Sequence, residues 1–226
     1  VFLIMKLESM SNFFATRAEG YDEHMLNSVE GCKEGYENMA RIIKKLSENF
    51  ALINILDLGC GTGLELDEIF KLLPNAQVTG IDLSREMLKK LKEKHSTKKI
   101  KLVEGNYFDI NFEENRFQFA ISFQTLHHFS AQRKKALYKK IFKTLTLNGI
   151  YIECDYMVES QEEENFYFNE NYKLRKKLNI GQDELYHYDT PMTVNNQKKL
   201  LFQAGFKKVE SVFKQGDTNM IVAQKR

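Results

Sequence analysis

Asp57, Gly59, Cys60, Gly61 and Gly63 stand at the end of one short apolar run, and Asp82 stands at the end of the next. Glycines at every second position let the backbone bend sharply and approach a ligand closely. A carboxylate about 20 residues further on has the spacing at which ribose hydroxyls donate to it. Together they point to a nucleotide-like ligand. A dinucleotide fingerprint would place its third glycine at 64, where this chain has Leu64. His127 and His128 are the next residues that could do chemistry: an imidazole titrates near neutrality and can take a proton from a nucleophile. Shaping their own loop is the alternative role. No metal set is expected, because adjacent side chains on an extended segment diverge and no further ligand cluster is apparent.

The elements that must position these residues follow from periodicity. The apolar run 52–58 reads as a strand buried on both faces. Met39, Ile42, Ile43 and Leu46 mark a helix before it. Leu66, Ile69, Phe70 and Leu73 mark one after it, stopped by Pro74. Strands are expected at 76–81, 100–103, 117–123 and 150–156. Ser84 and Ser130 are placed to cap the helices that alternate with them. Thr193 opens a further helix closed by Gly205, and strands near 207–213 and 219–223 join through a turn at Gly216 and Asp217. Alternating strands and helices predict a doubly wound α/β fold.

The turn Asp57, Gly59, Gly61, Gly63 matches D-x-G-x-G-x-G, and there the chain resembles the class I S-adenosylmethionine-dependent methyltransferases. The resemblance continues through residues 78–88, Glu104 to Tyr107, and the segment 117–129 ending in Leu126, His127 and His128. It implies a seven-stranded, mostly parallel sheet with an antiparallel C-terminal hairpin strand and helices on both faces. It also implies S-adenosylmethionine as cofactor and S-adenosylhomocysteine as product. By that resemblance, Gly59, Cys60 and Gly61 line the methionine end and Asp57 organises the turn or reaches the amino group. Asp82 holds the ribose, Leu83 and Met87 sandwich the adenine, Asn106 and the backbone of Tyr107 meet its edge, and Phe123 lies beside the cofactor. Tyr21 covers the sulfonium, where an aromatic face attracts a cation; simple packing is the alternative. Phe14, Arg17, His127, His128, Tyr156 and Tyr188 are the acceptor-pocket candidates. Gln118 departs from the family's aspartate at a position taken as structural.

The resemblance implies in-line methyl transfer to an unidentified small-molecule acceptor. The alternatives are a tRNA-modifying or carboxy-S-adenosylmethionine-type relative, to which Thr190, Pro191 and the Ala204, Gly205, Phe206 ending are also suited, and a non-catalytic cofactor-binding module. The Asn/Asp-Pro-Pro-aromatic motif of many amino-methylating relatives is missing, which disfavours that chemistry.

Composition frames these expectations. With 226 residues, 42% of them hydrophobic, the chain suits one domain. Residues 1–50 form a helical lead-in, and the polar stretch 157–190, with Tyr167, Tyr186 and His187, forms a lid-like insertion over the pocket. A net charge of +2 gives no general attraction to nucleic acid. The lysine groups around Lys89 to Lys99 and Arg133 to Lys140 are taken as solvated helix faces. Glu153 and Asp155 are placed on alternating sides of their strand. Three cysteines make no even framework, which indicates a reduced, cytoplasmic setting. Residues 1–5 are apolar but far short of a membrane span or a secretory signal and are taken as a ragged terminus. A monomer or homodimer without membrane partners is expected.

Overall fold

The computed structural model describes residues 7–181 and 183–226; the terminus considered above, residues 1–5, lies outside them. Three helices lead in: α1 (Met10–Arg17), α2 (Tyr21–Ser28) and α3 (Cys32–Ser47). The alternating body follows as β1 (Asn54–Leu58), α4 (Leu64–Leu72), β2 (Gln77–Asp82), α5 (Arg85–Lys94), β3 (Ile100–Glu104), β4 (Phe117–Phe123), α6 (Ala131–Thr144) and β5 (Leu145–Val158). Then come α7 (Gln161–Leu178), the two-residue β6 (Met192–Thr193), α8 (Val194–Ala204), β7 (Lys208–Gln215) and β8 (Thr218–Gln224).

The sheet runs β3-β2-β1-β4-β5-β8-β7, with β6 paired to β5 off that path. The first five strands are parallel, and β8 is antiparallel to both β5 and β7. The expected seven strands are therefore present, and β6 is an addition. Period-two alternation sends successive residues to opposite faces. Ile55 of β1 and Phe119, Ile121 and Phe123 of β4 join the core beneath α3 and α4. Leu56, Leu58 and Ala120 join the core beneath α6 and α8. Burial on both faces explains why these strands read as nearly continuous apolar runs.

The helix caps match the residues read from the sequence. Ser84 accepts from the N–H of Met87 at 3.3 Å, Ser130 from that of Arg133 at 3.4 Å, and Thr193 from that of Asn196 at 3.2 Å. The polar stretch 157–190 is more regular than its composition implied, because α7 occupies eighteen of its residues behind a Ser160/Glu163 capping box. Only Glu164 of that helix is buried, so no apolar stripe marks it in the sequence.

The lysine groups need correction. Lys134 is fully buried and reaches Gln197 of α8 at 3.5 Å. Lys94 pairs with Asp22 of α2 and Asp67 of α4, and Lys140 donates to the carbonyls of Tyr107 and Phe108. Lys89, Lys92, Lys99 and Lys139 do stand on exposed faces as expected, so only the members that reach neighbouring elements depart from it. Among the described residues, no helix is long and apolar enough to cross a membrane.

β1 pairs with β2 on one side and β4 on the other, so the chain leaves it in both directions across the sheet. That reversal opens a crevice at the carboxyl ends of the strands, where α/β sheets hold their ligands. Gly63, at φ +75°, caps α4 there, and a Cβ on it would stand 2.9 Å from Leu91 of α5. Gly63→Ala is expected to lower stability by about 1–3 kcal/mol through left-handed strain and overpacking. Urea unfolding measures this, and an unchanged midpoint would contradict it.

Candidate active site

The glycine turn is held from below. Gly59 and Cys60 donate their N–H groups to the carbonyl of Ile81 at 2.8 and 3.1 Å, and Gly63 closes back on Cys60 at 2.8 Å. Gly59 has φ +71°, and a Cβ there would meet Thr125 Oγ1 at 2.3 Å. The loops after β1 and β4 thus touch backbone to side chain, and only glycine fits. The Cys60 thiol is buried over Gly80 of β2, a packing role that leaves its backbone at the turn.

Asp82 ties this turn to the next loop. Its Oδ2 accepts from Gly61 N–H at 2.9 Å and its Oδ1 from Ser84 N–H at 2.8 Å. Burial raises its pKa while these backbone donors oppose the rise. Leu83 is half-buried beside it, Met87 is buried, and Gly105 N–H donates to the Asp82 carbonyl at 2.8 Å. Asn106 folds onto its own loop: its amide oxygen accepts from Phe108 N–H at 3.0 Å and its NH2 donates to Asp109 at 2.7 Å. Tyr107 is buried, with its hydroxyl 3.2 Å from Thr125 Oγ1. Leu83, Met87, Asn106 and Tyr107 therefore gather on one side of the turn.

Asp57 presents an unusual group. It is buried, and neither carboxylate oxygen has a hydrogen-bond partner among the described residues. Glu65, in the first turn of α4, is buried alongside it. Burial raises both acids, Glu65 to about 7 and Asp57 well above the ordinary range. Two ionised carboxylates offer each other no donor; a proton kept by the pair supplies one.

Tyr21 stands over the turn, its ring 3.8 Å from where a Gly61 Cβ would project. On its other side lies a cavity of about 780 Å³ also lined by Phe14, Arg17, His127, His128 and Tyr156. Five of the six acceptor-pocket candidates thus share one wall system. Tyr188 is half-buried, and it is its neighbours His187 and Asp189 that line the cavity. Arg17 lies over the Phe13 ring and pairs with Glu8 at 3.1 Å. Phe123 turns its ring away from this space and stacks on Tyr36, centroids 4.0 Å apart, in the core under α3. Gln118 accepts from Asn54 N–H at 2.9 Å at the opposite end of the strands, a structural role.

The histidines do not diverge. Residues 126–129 form a turn closed by Phe129 N–H on the Leu126 carbonyl at 3.1 Å, so the two rings converge with centroids 4.0 Å apart. This overturns the extended-segment expectation and, with it, the exclusion of a ligand cluster: one donor atom each from His127, His128 and Asp189 lies within 4.8 Å of the others. His127 Nδ1 is 2.5 Å from Asp155 Oδ1, while Asp155 Oδ2 accepts from Leu126 N–H at 3.0 Å. Burial favours neutral imidazole, but the Asp155 carboxylate outweighs it and raises the His127 pKa. Burial would likewise raise Asp155, and His127 holds it low. Burial and the neighbouring His127 push His128 down to about 4. His128 Nδ1 lies 3.1 Å from Asp189 Oδ1 but outside hydrogen-bond geometry, which leaves both buried atoms without a partner.

Asp155 and Glu153 sit on one face of β5, not on alternating sides, as residues two apart must. Glu153 accepts from Tyr138 at 2.7 Å and from Gln197 of α8, and burial raises it to about 7. Asp189, Glu65 and Lys134 were missed as buried site or core groups. Glu65 alone carried a local signal, as an acid in the first turn of the helix after the glycine turn.

Residues 55–149 match the family described as a methyltransferase domain. The carboxy-S-adenosyl-L-methionine synthase of Campylobacter fetus is 29% identical over 80% of this chain and 80% of its own length. That of Campylobacter hominis is 26% identical over 97% of both. Among solved structures, DesVI of Streptomyces venezuelae superposes with a TM-score of 0.67 at 14% identity, covering 93% of this chain and 98% of that one. The human N-acetylserotonin methyltransferase in complex with SAM superposes at 0.56 and 19% identity, covering 85% of this chain and 56% of that one. These likenesses of structure are likenesses of fold, and the chain spans 53 to 63% of several larger solved proteins.

The Asp57–Glu65 pair makes stability fall as pH rises. The unfolded chain releases the Glu65 proton near the ordinary 4.5 while the folded chain keeps it to about 7, so the folded state binds more protons between those values. Glu65→Gln supplies a permanent N–H donor. Its stability advantage over the unsubstituted chain is expected to grow from pH 4.5 to 7 and then level off. Denaturant titrations across that range measure it, and a pH-independent difference would rule out the shared proton.

Proposed function

We propose that this chain, which carries a class I S-adenosylmethionine-dependent methyltransferase domain, methylates a small molecule held in the cavity between Tyr21 and the two histidines. The observation that supports this best is the nearness of the glycine turn, through Tyr21, to a cavity lined by aromatic rings and by the two histidines. S-adenosylmethionine supplies a methyl group on a positively charged sulfur that is a good leaving group. The chain's residues need only bind, orient and exclude water, which accounts for much of such a rate.

Several features of the turn fit that cofactor. Asp57, whose oxygens meet no donor apart from the proton it shares with Glu65, suits an ammonium group, and the cradle at Gly59 leaves no room for a Cβ. Asp82, already fixed by two backbone donors, keeps acceptor capacity for ribose hydroxyls. Leu83 and Met87 form the apolar side and Asn106 and Tyr107 the polar edge, while the Tyr21 ring faces the turn as a surface for a cation. On the acceptor side, His127 is the residue placed to take a proton. Asp155 holds its Nδ1, which leaves Nε2 directed toward Asp189 at 3.7 Å and the cavity wall. Three unpaired, buried cysteines favour a reducing, cytoplasmic setting.

A second reading follows from the curated relatives, whose name describes a carboxylated form of the cofactor and which match over up to 97% of both chains. Incubation with methyl-labelled S-adenosylmethionine and metabolite pools or total tRNA separates the two. Label on a small molecule supports methyl transfer, label on tRNA supports a tRNA-modifying enzyme, and a carboxylated sulfonium product supports the chemistry of the relatives. Binding without any product supports a non-catalytic module.

Two substitutions test the assignments. Asp82→Ala is expected to weaken cofactor binding by about 1.5–3 kcal/mol, the scale of a lost charged hydrogen bond; calorimetry showing equal affinity would remove Asp82 from the ribose role. His127→Ala is expected to lower kcat by about 10²–10⁴-fold with cofactor affinity retained. An unchanged kcat would leave His127 with a shaping role only.

A further inference from the structure

We infer that His127, His128 and Asp189 form a binding site for one divalent transition-metal ion at the wall of the acceptor cavity. One donor atom from each residue lies within 4.8 Å of the others. Asp189 Oδ1 stands 3.1 Å from His128 Nδ1 and 3.7 Å from His127 Nε2. Ligands bound at about 2.0–2.1 Å in a tetrahedral site stand roughly 3.3 Å apart, so the spacing needs only small side-chain movement.

The second observation is the state of the donor atoms. The His128 side chain is 2% exposed, yet its Nδ1 has no hydrogen-bond partner, and neither has the buried Asp189 Oδ1 facing it. Buried polar atoms in a folded protein are nearly always satisfied, and two that face each other without bonding call for a third species between them. A cation bridges an imidazole nitrogen and a carboxylate oxygen where a hydrogen bond does not form. His127 adds the arrangement typical of metal-bound imidazoles, with its other nitrogen held by the buried carboxylate of Asp155.

The site is also assembled in advance. Asp189 comes from a segment distant in sequence, and Thr190 locks that segment to the His127 carbonyl through both its N–H, at 2.6 Å, and its hydroxyl, at 3.1 Å. The Asp189 side chain is 40% exposed, so the coordination sphere opens on the cavity side. Two imidazoles and one carboxylate with an open position suit zinc, iron(II), cobalt(II) or manganese(II). Two neutral imidazoles and one carboxylate leave a net positive charge on the bound cation. An oxygen-bearing acceptor would therefore be oriented by coordination, with the metal taking over from His127 the task of favouring its ionised form. This last role rests on the methyl-transfer reading; the ion site itself does not.

The test uses the full chain freed of metal by chelation, then titrated with zinc by equilibrium dialysis and with cobalt(II) by visible absorption. Wild-type protein is expected to bind about one equivalent with the absorption of a nitrogen- and oxygen-ligated cobalt ion. His128→Ala and the volume-conserving Asp189→Asn should each weaken binding at least about tenfold, and Asp155→Asn by about 10–100-fold. Cooperative thermal unfolding checks that each variant is folded, and Asp189→Asn, on a partly exposed segment, keeps the test open if His128→Ala fails to fold. Absence of binding to the wild type, or equal binding by the folded variants, overturns the site. Failure of wild-type protein to bind S-adenosylmethionine overturns the methyl-transfer reading alone, whatever the zinc result.

Discussion

The closeness of the two loops that leave β1 and β4 sets the terms for everything at this end of the molecule. Because β1 lies between β2 and β4, the chain must turn away from adjacent strands in opposite directions within one narrow space. Thr125 stands where a side chain on Gly59 would be. A bulkier residue would push the loops apart and spoil two things together: the hydrogen bond that fixes Gly61 to Asp82, and the turn that brings the His127 and His128 rings within 4.0 Å of each other. The glycine turn and the histidine turn are therefore one mechanical unit.

The same crowding concentrates carboxyl groups at the ends of the parallel strands. Asp57, Glu65, Asp82 and Asp155 are all withdrawn at least partly from water, and each meets the cost differently. Backbone N–H groups stabilise Asp82. Two backbone donors and the His127 ring stabilise Asp155. A retained proton serves the Asp57–Glu65 pair. Such a place favours positive ligands, whether a sulfonium, an ammonium or a metal ion, since each relieves a carboxylate that the fold leaves short of partners.

The cavity beside the histidines has a different origin. Its walls come from α1 and α2, from the turn after β4, from Tyr156 of β5, from the segment that returns from α7 and from the turn between β7 and β8, pieces far apart in the chain. Main-chain bonds join two of them, from Met10 N–H to the Leu185 carbonyl and from His187 N–H to the Glu8 carbonyl. Phe13 then stacks on His187 with centroids 3.5 Å apart. Helices and returning segments thus supply most of the cavity's wall, beside Tyr156 and Thr218 at the ends of the sheet strands.

Local patterns determined the parallel sheet, the helices, their serine and threonine caps, the glycine turn and the place of Asp82, because each depends on residues a few positions apart. The end-of-strand position of His127 and His128 was legible for the same reason, and the family resemblance singled out Phe14, Arg17, Tyr21 and Tyr156, which line one cavity. Burial by distant neighbours was not legible. It took Lys134 from an apparent solvated face into the core and turned the Phe123 ring toward Tyr36. Helix α7 had a local signal in its Ser160/Glu163 capping box but no apolar stripe to extend it. Nor could local spacing show that Asp189 would meet two histidines some sixty residues earlier, or that Asp155 would hold one of them. Those contacts exist only because strand order and the returning segment bring separate stretches of chain to the same end of the sheet.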